Sequence, residues 1–150
     1  MEFDALLNGF ATFLSVKYIL ACLIGALLGT VIGVLPGLGP TTTMSLMLPF
    51  TASLDATFGI IMLTGILVGS QYGGSTTSIL VNIPGEAASV VSCLDGYQMA
   101  KKGRGGAALA LVAVGSFIAG TVAVVGTQVF APLLGAAALS FGPPEFLALM

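Results

Sequence analysis

Charge is what this sequence has least of. Four of its 150 residues are Lys or Arg and six are Asp or Glu, 7% together, where a soluble domain carries about 25%. So few charges cannot cover a surface that faces water. With 57% hydrophobic residues and a mean hydropathy of +1.10, the composition is that of a membrane protein. Histidine is absent, which removes the commonest metal ligand and general base. The two cysteines, Cys22 in an apolar stretch and Cys93 in a polar one, suggest neither a disulfide framework nor a metal site. A net charge of −2 with no basic face gives no support to nucleic-acid binding. Glu2 and Asp4 make a poor signal-peptide start, so the N-terminus reads as retained. Ser75 has no histidine to activate it, Gly73-Gly-Ser-Thr-Thr77 matches no nucleophile elbow, and paired intramembrane carboxylates are missing. The chain does not read as an enzyme, and it calls for no cofactor or metal.

The charges present divide the rest. Glu2, Asp4, Lys17, Asp55, Glu86, Asp95, Lys101, Lys102, Arg104 and Glu145 bound uncharged runs at 18–54, 56–85 and 105–144. A membrane-spanning helix needs about 20 apolar residues, so the first and third runs each hold one span plus a second span or a re-entrant piece. The sequence predicts an all-α, multi-span bundle in one transmembrane domain over 1–150. Helices are expected near 3–14, 17–35, 41–50, 55–71, 75–82, 86–102, 106–130 and 132–141. The first has its apolar residues at helical spacing and reads as a helix lying in the interface. Lys17 anchors the second. Ser53 or Asp55 is placed to cap the helix at 55–71, and Thr41 or Thr42 the one at 41–50. Lys101, Lys102 and Arg104 mark the best candidate for a cytoplasmic loop. The helix opening at Glu145 is cut off at Met150, so the chain reads as the N-terminal portion of a longer protein.

Two passages do not suit lipid-facing helix. Gly25, Gly29, Gly33 and Gly37 recur every four residues, a stripe on which a second helix can pack backbone to backbone. That helix then meets Pro36-Gly-Leu-Gly-Pro40 and Thr41-Thr-Thr43, where two prolines and two glycines predict a break at 36–40. Gly65, Gly69 and Gly73 run the same way into Gly73-Gly-Ser-Thr-Thr-Ser78, where a second break is expected at 72–74. A shift of 35 aligns Thr41 and Thr42 with Thr76 and Thr77. It also aligns Gly39 through Pro49 with Gly74 through Pro84. This reads as a weak internal repeat; coincidence in a chain with 21 glycines is the competing explanation.

Polar, helix-breaking sequence at membrane depth is tolerated where it lines a wet cavity or is buried in protein, and such places commonly bind solutes or ions. A broken helix offers N–H groups to an anion at one half and carbonyls with hydroxyls to Na⁺ at the other. The glycines at 37, 39, 73 and 74 let a solute approach the backbone, and Asn82 can both donate to a ligand and accept from it. Glu86 is either a proton or cation site or a carboxylate that favours a helix N-terminus. The glycine stripes alone would equally fit a non-transporting structural or assembly membrane protein, although such spans need no Pro-Gly breaks.

The motifs also resemble a known family. Gly33-Val-Leu-Pro-Gly-Leu-Gly-Pro-Thr-Thr-Thr-Met-Ser-Leu-Met-Leu-Pro49 and Gln71-Tyr-Gly-Gly-Ser-Thr-Thr-Ser-Ile-Leu-Val-Asn-Ile-Pro-Gly-Glu-Ala-Ala-Ser89 closely resemble the large membrane subunit of the bacterial tripartite tricarboxylate transporters, the TctA family. Asp95-Gly-Tyr-Gln-Met-Ala-Lys-Lys-Gly103 and Phe141-Gly-Pro-Pro-Glu145 resemble it too, so that the likeness covers essentially the whole chain. It implies a multi-pass permease of the bacterial inner membrane, driven by a Na⁺ or H⁺ gradient. The implied partners are a small membrane subunit and a periplasmic solute-binding protein that delivers a tricarboxylate or related organic acid. Family members are longer, with a second half carrying its own Pro-Gly motifs. The binding residues that the resemblance carries over are Pro36, Gly37, Gly39, Thr41 and Thr42 in the first motif, and Gly73, Gly74, Ser75, Thr76, Thr77, Asn82, Pro84, Gly85 and Glu86 in the second, with ligand roles that follow from the broken helices.

Overall fold

The computed structural model describes residues Glu2–Leu139, which are helical with no strand among the described residues. The helices are α1 (Glu2–Phe13), α2 (Val16–Gly33), α3 (Pro40–Ala52), α4 (Ala56–Val81), α5 (Val90–Met99) and α6 (Gly105–Leu139), with a 3₁₀ turn at Ala87–Ser89. Three stretches are long and apolar enough to cross a membrane: Val16–Gly33, Ala56–Val81 and one within Ala87–Ala131. The expected all-α, multi-span fold is therefore present. Contacts group the chain into two units, Met1–Val112 and Ala113–Met150.

In the first unit α2 and α4 form the spine. Gly25 lies against Met62, Gly29 against Ile66 and Gly33 against Ser70, while Gly65, Gly69 and Gly73 lie against Cys22, Ala26 and Thr30. Numbering rises together on both helices, so they run parallel. A Cβ added at any of these six glycines would come within 3.0 Å of backbone on the facing helix. Glycine on both sides lets the two backbones touch, which is how helices associate where lipid supplies no hydrophobic drive. The N-terminal ends are pinned together. Asp55 caps α4 by accepting from the Phe58 N–H at 3.3 Å, and its carboxylate meets Lys17 Nζ at 3.6 Å. The same ammonium sits 5.2 Å from the Tyr18 ring and 5.9 Å from that of Phe58.

Helix α3 returns antiparallel to α4. Its last turn meets α4 near the start, where a Cβ on Gly59 would lie 2.8 Å from the Thr51 carbonyl. The helix is capped two residues before Thr41 and three before Thr42, the expected caps. Gly39 is the N-cap and Pro40 the first helical residue, because proline has φ preset for that position and lacks only an N–H that would be unpaired there. Thr41 and Thr42 fall in the first turn.

The break expected at 72–74 does not occur. Helix α4 runs unbroken through Gly73-Gly74 to Val81. Glycine disfavours helix only by about 1 kcal/mol per residue, and here both glycines are spent on close packing: Gly73 on α2, Gly74 on the loop at Gly85. The helix stops at Asn82, which takes φ 60°, ψ 30°, a left-handed cap that asparagine tolerates, with Pro84 soon after. The internal repeat also fails as structure. Thr41 and Thr42 open α3, whereas Thr76 and Thr77 lie mid-helix in α4.

Beyond Asn82 the chain doubles back. Gly85 descends to Gly74, then α5 climbs until Gly96 rests on Ile79, and Gly105 reaches Leu80. The chain kinks into α6 at Gly103, which takes φ 74°. In the second unit the described part is the remainder of α6, with Phe117, Ile118, Val122 and Val129 exposed. The separate helices expected at 106–130 and 132–141 are one helix through Leu139. Pro132 removes a single N–H, which apolar spanning helices accommodate. The features expected at Gly142-Pro-Pro144 and Glu145 lie outside the described residues.

Candidate functional site

The site is built from the two loops that Pro-Gly sequence produces. After α2 the chain makes a tight turn: the Leu38 N–H donates to the Leu35 carbonyl at 3.2 Å, Pro36 occupies its second position, and Gly37 its third at φ 85°. That is the signature of a type II turn, and only glycine adopts such a φ without strain. The turn delivers Gly39 and Pro40 to the start of α3. The second loop, Asn82 to Glu86, is held down because neither Gly74 nor Gly85 has a side chain. A Cβ on Gly85 would collide with the Gly74 backbone. This places Glu86 beside both Gly39 and Gly74, each with its nearest Glu86 side-chain carbon 3.8 Å from where its Cβ would be.

Between the loops lies an open cleft of about 570 Å³, lined by Gly37, Gly39, Pro40, Thr41, Thr42, Pro84, Gly85, Glu86, Ala87 and Val90. Glu86 is half-buried and Thr41 and Thr42 are exposed. On one wall is the N-terminus of α3, where the Thr41 and Thr42 N–H groups precede the first intrahelical bond, from Thr43 N to Gly39 O at 3.0 Å. Those N–H groups and the helix dipole favour negative charge. On the other wall is Glu86, whose own N–H donates to the Ser89 hydroxyl at 3.1 Å while that hydroxyl donates to the Glu86 carbonyl at 2.9 Å. These bonds fix its backbone at the N-cap of the 3₁₀ turn, where Glu86 and Ser89 form a capping box. No Lys or Arg lines the cleft, and among the described residues no ion pair reaches Glu86.

Residues 19–150 match the family described as tripartite tricarboxylate transporter TctA. The chain belongs to the TctA family. A relative from Agrobacterium vitis, "Uncharacterized 52.8 kDa protein in TAR-I ttuC' 3'region", is 54% identical over 142 residues, 95% of this chain. The chain spans 28% of that relative's length. No solved structure matches it. TctA is a transporter family, and with its apolar spans this member is a multi-pass membrane protein.

The structure separates the candidate residues of this TctA member into two groups. Gly37, Gly39, Thr41, Thr42, Pro84, Gly85 and Glu86 meet at the cleft. Pro36, Gly73, Gly74, Ser75, Thr76, Thr77 and Asn82 are not in its lining. Ser75 donates to Gln71 O at 3.1 Å and Thr76 to Tyr72 O at 2.9 Å, both carbonyls one turn back in their own helix. Thr77 is buried and donates across to the Val34 carbonyl at the end of α2, at 2.8 Å. Asn82 is the helix stop. The lining also includes Pro40, Ala87 and Val90. Pro40 was legible as a proline at the head of an apolar segment; Ala87 and Val90 carry no chemical signal in sequence.

Proposed function

We propose that the chain is part of the membrane permease of a tripartite transporter for tricarboxylates or related organic acids. In this reading it sits in the bacterial inner membrane with a small membrane subunit and a periplasmic solute-binding protein, and an ion gradient drives uptake. The cleft between residues 37–42 and 84–90 is the part of the transport site that this chain contributes. The observation that carries the reading is the placement of Glu86 opposite the N-terminus of α3 with no cation beside it among the described residues.

That arrangement suits coupled binding. A solute carboxylate is favoured at the α3 N-terminus by N–H groups and hydroxyls, but it would share the cleft with the Glu86 carboxylate. Two like charges in a site of low dielectric disfavour each other. A proton or Na⁺ taken up at Glu86 removes the repulsion, so solute and ion bind better together than apart. The competing reading, a structural protein assembled through glycine stripes, is weakened because the stripes of α2 and α4 are filled by each other.

The test is uptake of labelled citrate and related acids by a full-length family member, with its binding protein, carrying Glu86→Gln. Glutamine keeps the shape of the protonated acid. Solute binding should persist while its dependence on Na⁺ or pH disappears, and accumulation against a gradient should fall at least about tenfold. Glu86→Asp should retain the ion dependence. Unchanged gradient-driven accumulation in Glu86→Gln would remove Glu86 from the coupling site.

A further inference from the structure

The turn that joins α5 to α6 carries three of the four cations of the chain, and the proposed cleft does not use them. Lys101, Lys102 and Arg104 are all exposed, and among the described residues none has an acidic partner. Gly103 at φ 74° kinks the chain in their midst, and all three lie within the one stretch Ala100–Arg104. Lys101 lies over the Tyr97 ring with its ammonium 4.8 Å from the centroid. The fourth cation, Lys17, is at the other end of the spine and already shares Asp55.

Depth decides what such a corner meets. Lys17 and Asp55, both more than half exposed, mark one membrane boundary at the feet of α2 and α4. Helix α4 has 26 residues and rises about 39 Å at 1.5 Å per residue. Gly96 packs on Ile79 and Gly105 on Leu80, in the last turn of α4, so the basic corner stands at that height. A bilayer measures about 40–45 Å with its headgroups. The corner therefore lies in the opposite headgroup layer, with Tyr97 at the level where interfacial tyrosines gather. Unpaired cations there face lipid phosphates, and an aromatic ring under one ammonium holds it without neutralising it.

We infer that Lys101, Lys102 and Arg104 form a docking surface for anionic phospholipid headgroups, seated on the leaflet above the cleft. Each Lys or Arg at an anionic surface contributes about 1 kcal/mol, and three together give a preference for acidic over zwitterionic lipid of about tenfold or more after allowing for incomplete additivity. The effect is electrostatic and weakens with salt.

The experiment reconstitutes the complete transporter in phosphatidylcholine bilayers with spin-labelled phosphatidylglycerol or spin-labelled phosphatidylcholine as probe, and reads the motionally restricted fraction of each. The native protein should select phosphatidylglycerol, and high salt should reduce the selection. The combined variant Lys101→Gln, Lys102→Gln, Arg104→Gln should lose it. The charge-preserving variant Lys101→Arg, Lys102→Arg, Arg104→Lys should keep it, which separates charge from misfolding. Added inorganic phosphate at matched ionic strength should not compete; competition would mean a site for a soluble anion and overturn the proposal. Equal restriction of the two lipids by the native protein, or undiminished selection in the glutamine variant, would overturn it as well.

Discussion

At the scale of single residues, hydroxyls in this chain mostly serve its own backbone. Thr30, Thr64, Ser75, Thr76 and Ser78 each donate to the carbonyl four residues earlier. Thr77 differs because its bond to Val34 O crosses from α4 to the carbonyl end of α2, where helix carbonyls lack partners. Thr77→Val keeps the volume and leaves that carbonyl unsatisfied. It should destabilise the protein by about 0.5–2 kcal/mol, whereas Thr76→Val should cost under about 0.5 kcal/mol. Unfolding in mixed micelles on titration with a denaturing detergent, followed by circular dichroism, measures both. Equal loss from the two variants would mean that the interhelical bond adds nothing to the local one.

At the scale of elements, glycine carries two meanings that sequence alone does not separate. Spacing was legible: Gly25, Gly29, Gly33 and Gly65, Gly69, Gly73 mark a helix-packing stripe, and they are one. The first break was legible too, since Pro36, Gly37 and Pro40 each have a local backbone reason to end or start a helix. The second was misplaced because the glycine pair 73–74 looks the same whether helix ends there or another segment lies across it. What decides is Gly85, eleven residues on in the chain, and that contact is tertiary. Of the cleft lining, the Pro-Gly loops and Glu86 are readable from chemistry, but the hydroxyl run at 75–77 reads as cavity-lining only if the helix breaks at 72–74, and α4 continues through it. The stripe gives a sharp contrast in substitution. Gly69→Ala forces a Cβ into the backbone of Ala26 and should cost about 1–3 kcal/mol. Gly120→Ala in α6, where a Cβ meets nothing within 4 Å, should be neutral or stabilising by up to about 1 kcal/mol. The same detergent titration compares them, and a tolerated Gly69→Ala would mean that α2 and α4 are not packed backbone to backbone.

At the scale of the first unit, charge and helix length together orient the site. The feet of α2 and α4 carry Lys17 balanced by Asp55, and the other end carries three cations with no acidic partner among the described residues. Positive residues near span ends are retained on the cytoplasmic side, so the Lys101–Arg104 corner is expected to face the cytoplasm and Ser53–Asp55 the periplasm. Gly74, which holds the floor of the cleft, is 18 residues up α4 from Ala56, about 27 Å above the periplasmic boundary and about 11 Å below the helix end. The hydrocarbon core is about 30 Å thick. The cleft is thus expected at hydrocarbon depth but nearer the cytoplasmic face, where a solute would be released rather than received. Single cysteines test this in a complete family member whose counterparts of Cys22 and Cys93 have been replaced by alanine. An impermeant maleimide added to intact spheroplasts should label Ser53→Cys and leave Gln98→Cys and Thr41→Cys unlabelled. Inside-out vesicles should reverse the pattern for Ser53→Cys and Gln98→Cys, with Thr41→Cys labelled as Gln98→Cys is and protected by saturating citrate. Labelling of Ser53→Cys and Gln98→Cys from the same side would contradict α4 as a single crossing, and labelling of Thr41→Cys from the periplasmic side alone would place the mouth of the cleft opposite to the basic corner.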